Sequence, residues 1–400
     1  MPVILNYPLF IRTTVTNFFF FAGLNCFILL PLYIQGLGGT EVEIGVVMGL
    51  YSAAGIFCQP LIGAWVDAFG RRPFMRFGTA AVLATALIAT VSTSVTVFAL
   101  LRLAQGIGFS AFFVSNYTMV IDLVPVERRG WALGIYGVAG MSSTALAPLA
   151  GEWMVRHFGF RALFLLAATL AGVAVALVWR IPERRGRIDV AVGRLPTMRG
   201  SLDEVFRRQM TIALFFGLGT GAIFTFMPTF AESLGVTTLA LFYTAYAGAA
   251  MFVRVTAGGL IDTRGRRAVI VPSMLIQAFA TAILAALGLL LARGTEVPVL
   301  PFLFLGGLLA GGAHGFLYPG LAALVTDTAA PARRGAVVGV FGAVVLSGNA
   351  TGAFVFGYVA HWLGYGPMWT ALALILTFGF VLSVKLEEVP QRLRSEVTSS

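Results

Sequence analysis

Charge is scarce in this chain of 400 residues: 11% are Asp, Glu, Lys or Arg against 58% hydrophobic, and the mean hydropathy is +0.90. That balance excludes a soluble globular domain and places the chain in lipid as an integral membrane protein. Cysteine is scarcer still. Cys26 and Cys58 both fall inside apolar runs, which argues against a disulfide framework and reads as two small buried residues. Acidic groups are missing from the middle of every apolar run. Asp67, Asp122, Asp262 and Asp327 stand at one set of helix ends, and Glu41, Glu43, Glu152, Glu232 and Glu296 at the other. A cation exporter usually keeps a carboxylate at mid-membrane, so its absence argues against a cationic cargo. Enzyme signatures are missing too: there is no GxSxG, HExxH or P-loop lysine, and the glycine runs at Gly217–Gly221 and Gly306–Gly315 sit within apolar stretches instead of after strands. The expectation is a protein without catalysis, cofactor or metal. The net charge of +10 comes from short basic clusters between apolar runs, a pattern of membrane topology and not of a nucleic-acid surface.

What the chain does have is a charged hinge, Gly63–Arg72, reading GAWVDAFGRR between two apolar runs, and a second copy of it at Gly258–Arg267. Gly63, Asp67, Gly70, Arg71 and Arg72 recur as Gly258, Asp262, Gly265, Arg266 and Arg267, each 195 positions on. A second echo, Asp122, Arg128, Arg129 and Gly130, recurs as Asp327, Arg333, Arg334 and Gly335 at an offset of 205. A period that long is a duplicated half and not a short solenoid repeat. The change of offset places about ten extra residues in the second half, expected around Gly294–Pro298. Physically the hinge is an apolar helix reaching water at an aspartate, a tight turn at a glycine, and arginines that hold the loop on one side of a bilayer.

With these residues in place the chain resembles the major facilitator superfamily, whose signature after the second span is GxLaDrxGRK; the glycines, aspartate and basic pair are kept, and Trp65 and Ala68 depart from it. The resemblance covers nearly the whole chain. It implies an all-α membrane protein of twelve transmembrane helices in two pseudo-symmetric six-helix bundles, with the hinge acting as a gating motif.

Apolar runs of about 20 residues give the same number. They fall at Thr14–Ile34, Ile44–Val66, Phe74–Thr93, Val97–Met119, Gly130–Trp153 and Ala162–Trp179, then at Met210–Phe230, Leu239–Ile261, Ala268–Leu291, Val299–Tyr318, Ala336–His361 and Met368–Leu386. The halves are therefore expected at 1–180 and 209–400, joined by a basic linker at 181–208. The linker reads as solvated and held by anionic lipid headgroups, or as regulatory. Of 27 Lys and Arg residues, 22 fall in the termini and even-numbered loops, which puts both termini in the cytoplasm of a multi-pass protein of the inner membrane.

Polar groups embedded in the spans are the candidates for function, because each is costly in lipid unless it is paired or faces a cavity. Arg102 and Gln105, with Gly106 and Gly108, match the family's RxxQGxG motif in the fourth span. The resemblance links this arginine to proton coupling or gating; the alternative is an arginine that snorkels to headgroups. A guanidinium keeps its charge, so Arg102 can attract an anion but cannot itself shuttle a proton. Arg254, two turns before Asp262, is either a structural ion-pair partner or a substrate contact. His314, with Tyr318 one turn on, either titrates or binds cargo, or else pairs helices. Asn25, Asn116 and Asn349 complete the set, and family geometry favours Asn25, Arg102, Asn116 and His314 as lining a central cavity. Tyr243, Tyr246 and Phe18–Phe21 are available to stack on an apolar cargo or to pack.

The reading is a secondary active transporter of a small organic molecule, apolar or anionic, working as a monomer in lipid by rocking of its halves. A degraded match of the fifth span to the antiporter signature, at Gly134, Ser143, Ala147, Pro148 and Gly151, together with the resemblance, implies proton-coupled export. The alternatives are an importer of a sugar or organic acid, and a non-transporting sensor or lipid-moving scaffold. The orientation has a direct test: a Gly193→Cys variant should react with a membrane-impermeant thiol reagent only after cells are opened, and labelling of intact cells would reverse the topology.

Overall fold

The computed structural model describes residues 7–124, 129–182, 204–236, 238–327 and 334–386. The side chains at 64, 67, 68, 129–131, 204–206, 262, 326, 327 and 334–338 lie outside this description, and so do those of the expected hinge aspartates Asp67 and Asp262 and most of the linker.

In lipid each backbone N–H and C=O must find its partner within the segment, so an apolar run of spanning length folds as a helix. Ten stretches are long and apolar enough to cross a membrane. One of them, Ala132–Trp179, is broken at Gly159 into two helices. The helix Arg72–Ala89 adds another, its hydropathy lowered by Arg72 and Arg76. The spans are thus twelve: Tyr7–Gly36, Glu41–Phe69, Arg72–Ala89, Val95–Leu123, 129–158, 160–179, Glu204–Ser233, Ala240–Ala257, Arg266–Ala292, Val299–Asp327, Arg334–Leu363 and Tyr365–Val384. A 3-10 turn, Cys26–Leu29, interrupts span 1, and span 8 breaks at Gly258–Gly259 before a short helix Leu260–Thr263.

The duplication is visible in the backbone. Gly70 (φ 94°, ψ 171°) ends span 2 and Gly265 (φ 90°, ψ 163°) precedes span 9, while Gly159 (φ 78°, ψ 177°) and Gly364 (φ 84°, ψ 173°) separate the last two spans of each half. A positive φ with extended ψ belongs almost wholly to glycine, so these four positions are fixed by the turn they make. Helix ends are tied in the same repeating way. The last carbonyls of a helix have no acceptor role within it and gather partial negative charge. In the first half Arg12 donates to the Arg180 carbonyl (2.7 Å) and Arg72 to that of Trp179 (2.9 Å). In the second, Arg208 donates to the Lys385 carbonyl (3.3 Å) and Arg267 to that of Val384 (2.7 Å). The second arginine of each hinge thus caps the final span of its own half. One expectation is corrected here: the extra residues of the second half do not sit around Gly294–Pro298 but lengthen span 9, which has 27 residues against 18 in span 3.

Apolar side chains gain little by meeting each other in lipid, so membrane helices associate where small residues let backbones approach. Gly106 of span 4 lies against the Tyr51 backbone of span 2, and Gly311 of span 10 lies against the Tyr246 backbone of span 8, the same crossing in each half. The neighbouring Gly312 has nothing within 4 Å of where a Cβ would stand. Gly311→Ala should therefore overpack the crossing at a cost of about 1–3 kcal/mol and lower the melting temperature of the purified protein, whereas Gly312→Ala should leave it unchanged. Equal melting of the two variants would show that this approach is slack.

Candidate functional site

At the end of the bundle that carries the chain termini, the hinge residues spread over several contacts. Arg71, buried at 6% exposure, pairs through Nε with Asp122 Oδ2 at 3.1 Å, joining span 3 to the end of span 4. Arg266 donates to the Ile261 carbonyl at 2.6 Å. Gly63 is half-buried with open space around it, and Gly258 lies at the break in span 8.

Within the first half, the embedded amides serve helix pairing. Asn25 donates to Ser143 Oγ (2.9 Å) and Thr144 Oγ1 (3.2 Å) on span 5. Tyr136 of span 5 is a hub: Asn116, fully buried, donates to its hydroxyl (3.2 Å), and Asn17 donates to its carbonyl (3.2 Å). The amides of Asn25 and Asn116, expected to line a cavity, are turned to spans of their own half. Arg102 is also enclosed. Its Nη1 donates to Gln105 Oε1 at 3.0 Å, its guanidinium carbon lies 4.4 Å from the centre of the Tyr51 ring, and it is 6% exposed. Its Nε and the Gln105 Nε2 are buried without a hydrogen-bond partner. The cation is held by a ring face and an amide in place of a carboxylate.

The second half brings His314, Tyr318 and Arg254 together. The Tyr246 hydroxyl and His314 Nδ1 are 2.7 Å apart, and the His314 and Tyr318 rings lie parallel with centroids 6.4 Å apart. Arg254 lies within electrostatic reach of Tyr246, His314 and Tyr318. It makes no hydrogen bond or ion pair with the described residues, and its Nε is buried unpaired. Asn349 accepts from Thr220 Oγ1 at 2.7 Å, which ties span 7 to span 11. This is the Asn25–Thr144 contact of the first half with the two residue types exchanged.

The halves meet along two seams, span 2 with span 11 and span 5 with span 8. At the end away from the termini, Glu41 Oε2 faces His361 Nδ1 at 3.0 Å, and the Ala240 amide donates to Glu152 Oε2 at 2.7 Å, with Arg156 paired to the same carboxylate. Further along, Ser142 donates to Met251 Sδ at 3.4 Å. Next come two matched crossings. Gln59 Oε1 stands 3.1 Å from a Cβ position on Gly342, and Arg254 Nη1 stands 3.3 Å from one on Gly137. Gln59 and Arg254 are 195 apart, Gly342 and Gly137 are 205 apart, so these are one contact made twice. Further toward Gly70 and Gly265, Gly63, Gly134 and Gly339 have nothing within 4 Å of a Cβ among the described residues.

Sequence reasoning missed the aromatic residues of span 4. Phe109, Phe113 and Tyr117 are half-buried and stack in turn, with centroids 5.4 Å and 5.8 Å apart and planes 19° and 28° apart. Tyr51 and Phe21 meet the ladder at Phe109 (5.4 Å and 5.9 Å), and Tyr136 meets Tyr117 (6.1 Å). Their spacing of four residues on one helix was the available signal. Tyr318 of the other half is within electrostatic reach of both Tyr117 and Tyr136, which places this ladder opposite the His314 group. Among the described residues no cluster of His, Cys, Asp or Glu converges as a metal site would.

Comparison with known proteins points the same way. The family model for the Major Facilitator Superfamily matches residues 13–295 and 211–399. The staphylopine export protein of Staphylococcus aureus is 23% identical over 393 residues, covering 96% of this chain and 97% of that protein. A multidrug resistance efflux pump homolog of Lactococcus lactis is 28% identical over 190 residues, 46% of each chain. In fold, the chain is similar to the nucleoside transporter NupG (TM-score 0.74, 16% identity, 94% of this chain and 98% of that one) and to the human organic anion transporter MFSD10 (TM-score 0.68, 20% identity, 94% and 99%).

The enclosure of Arg102 has a measurable consequence. A desolvated cation over a ring face is worth about 2 kcal/mol, so Tyr51→Leu should lower the melting temperature while Tyr51→Phe, which keeps the ring, should not. If Tyr51→Leu costs the same in an Arg102→Gln background, the two side chains are not coupled.

Proposed function

The chain belongs to the Major Facilitator Superfamily, and from that membership we propose that this transporter exports a small organic molecule, apolar or anionic, in exchange for protons by rocking of its two halves. The observation that carries this reading is the arrangement at the seams. The halves are tied at one end through Glu41–His361 and Glu152–Ala240, and past Gln59 and Arg254 the seam glycines Gly63, Gly134 and Gly339 meet no described residue within 4 Å of a Cβ. Between lie the embedded polar and aromatic groups. With both termini in the cytoplasm of an inner-membrane protein, as the arginine asymmetry supports, this is a cleft that loads from inside. The names of the staphylopine export and multidrug efflux relatives support export over import.

On this reading residues 1–180 and 209–400 are the moving bodies and 181–208 their tether, and a single chain in lipid suffices. The hinge residues Gly63, Asp67, Gly70, Arg71 and Arg72, with their second copies, hold the loops at the cytoplasmic face. Arg71–Asp122 and the arginine caps on the final spans keep each half rigid while it tilts. Arg102 with Gln105 and Tyr51 stiffens the first half, and Arg254, His314 and Tyr318 face the cargo path. The missing carboxylate at mid-membrane supports a neutral or anionic cargo.

The experiment is transport in inside-out vesicles. A cargo found by thermal-shift screening of the purified protein against a metabolite and drug panel should accumulate when the lumen is acidified, and a protonophore should abolish the accumulation. Uptake that ignores the pH gradient would remove proton exchange from the mechanism. Accumulation only with the gradient reversed would turn the exporter into an importer.

A further inference from the structure

We propose that the cargo is a planar aromatic anion, its ring lying against the Phe109–Phe113–Tyr117 ladder and its anionic group drawn to Arg254. This deepens the export reading above and rests on it.

The anionic part follows from Arg254, a seam cation with no ion-pair partner among the described residues. Arg254 sits where the pseudo-symmetric position of the other half has the neutral Gln59, and both make the same approach to a glycine, Gly137 or Gly342. Since Gln59 satisfies the seam as a neutral residue, the packing does not require a cation at position 254. Yet Arg254 is largely buried, its Nε has no hydrogen-bond partner among the described residues, and none of its near neighbours Tyr246, His314 and Tyr318 is a carboxylate. A guanidinium in such a place is costly until an anion reaches it, and its planar fork suits a carboxylate or a sulfonate. Arg102 does not compete for this role, because it lies away from the seams, with Nη1 bonded to Gln105 and the Tyr51 ring over its guanidinium inside one half.

The aromatic part follows from the ladder. Rings that only packed the core would be buried, as Phe20 and Phe112 are, stacked at 3.9 Å and fully covered. Phe109, Phe113 and Tyr117 instead keep partial exposure on one face of span 4, while Tyr117 and Tyr136 look across to Tyr318 and thus to the Arg254 group. Stacked faces across the seam from the Tyr318 and Arg254 group favour a flat ring over a flexible chain, since a ring meets them with little ordering cost.

The test uses the full chain in detergent with four probes: 2-naphthoate, neutral 2-naphthalenemethanol, 2-naphthylmethylammonium and octanoate. Calorimetry should rank 2-naphthoate at least tenfold tighter than each of the others. Arg254→Gln, which installs the residue type of the matched position, should weaken 2-naphthoate at least tenfold and leave 2-naphthalenemethanol unchanged; Phe113→Leu should weaken both ring probes and spare octanoate. Gln59→Ala should bind as the wild type does. Melting of each variant without probe checks folding, and Arg254→Lys supplies a second variant that should bind at intermediate strength. Failure of the wild type to bind 2-naphthoate at millimolar concentration, a preference for the cation, or unchanged 2-naphthoate binding by Arg254→Gln would each overturn the proposal. Gradient-driven transport of another panel cargo by Arg254→Gln at the wild-type rate would sink this inference and leave the export reading standing.

Discussion

The approach of two glycines to two tyrosine backbones is the constraint from which the interior follows. Helices in lipid are brought together by close contact and by polar pairing, so the places where backbones can touch decide the register of everything around them. Gly106 against Tyr51 fixes spans 2 and 4, and because Arg102 lies one turn before Gly106, the Tyr51 ring is delivered to the guanidinium. Gly311 against Tyr246 fixes spans 8 and 10 in the same way. His314 lies about one turn after Gly311, so the Tyr246 hydroxyl is delivered to the imidazole. A side chain larger than hydrogen at either glycine would press on the facing backbone and loosen the partnership that its own crossing holds in register.

The two halves share these crossings and differ in what they hang on them. Gly307 stands in the second half where Arg102 stands in the first, and Phe109 stands where the second half has His314; the Tyr51–Phe109 and Tyr246–His314 rings keep nearly the same separation, 5.4 Å and 5.6 Å. Gln59 answers to Arg254. The Asn25–Thr144 bond is repeated with its residue types reversed as Thr220–Asn349, which preserves a bond between spans at equal depth. The repeated features are those that packing needs. The departures are changes of charge or hydrogen-bonding capacity, and one of them, Gln59 to Arg254, lies in the seam between the halves.

Much of the fold was legible because lipid leaves the chain few choices: the twelve apolar runs and the 195 and 205 offsets need no tertiary knowledge. The span limits were read too short where helices run on past the apolar core, as in Glu41–Phe69 for the expected Ile44–Val66. The longer span 9 was misplaced into a loop because Gly294 and Pro298 look like a turn whether or not the helix before them has grown. The site was less legible. A sequence shows that Asn25, Asn116 and Arg102 are embedded but not which neighbour each one meets, and all three proved to be committed within one half. The Phe109–Phe113–Tyr117 face went unnoticed since phenylalanine in a span usually meets lipid, and only the half-exposure of three stacked rings opposite another half distinguishes it.

The two embedded arginines then fall into different physical classes. Arg102 has its compensation within one rigid body, so its environment stays constant as that body tilts, and its free energy does not depend on which way the protein faces. Arg254 lies across a seam from Gly137, and its surroundings must change whenever spans 5 and 8 slide. If the halves rock as proposed, tightening this seam removes what water the guanidinium still keeps, which is costly for an unpaired cation and much less so for one with an anion beside it. On the proposed reading, therefore, an empty transporter resists the closed state and a loaded one accepts it. On that reading, one cation at the boundary between the halves makes rocking depend on cargo with no carboxylate needed at mid-membrane.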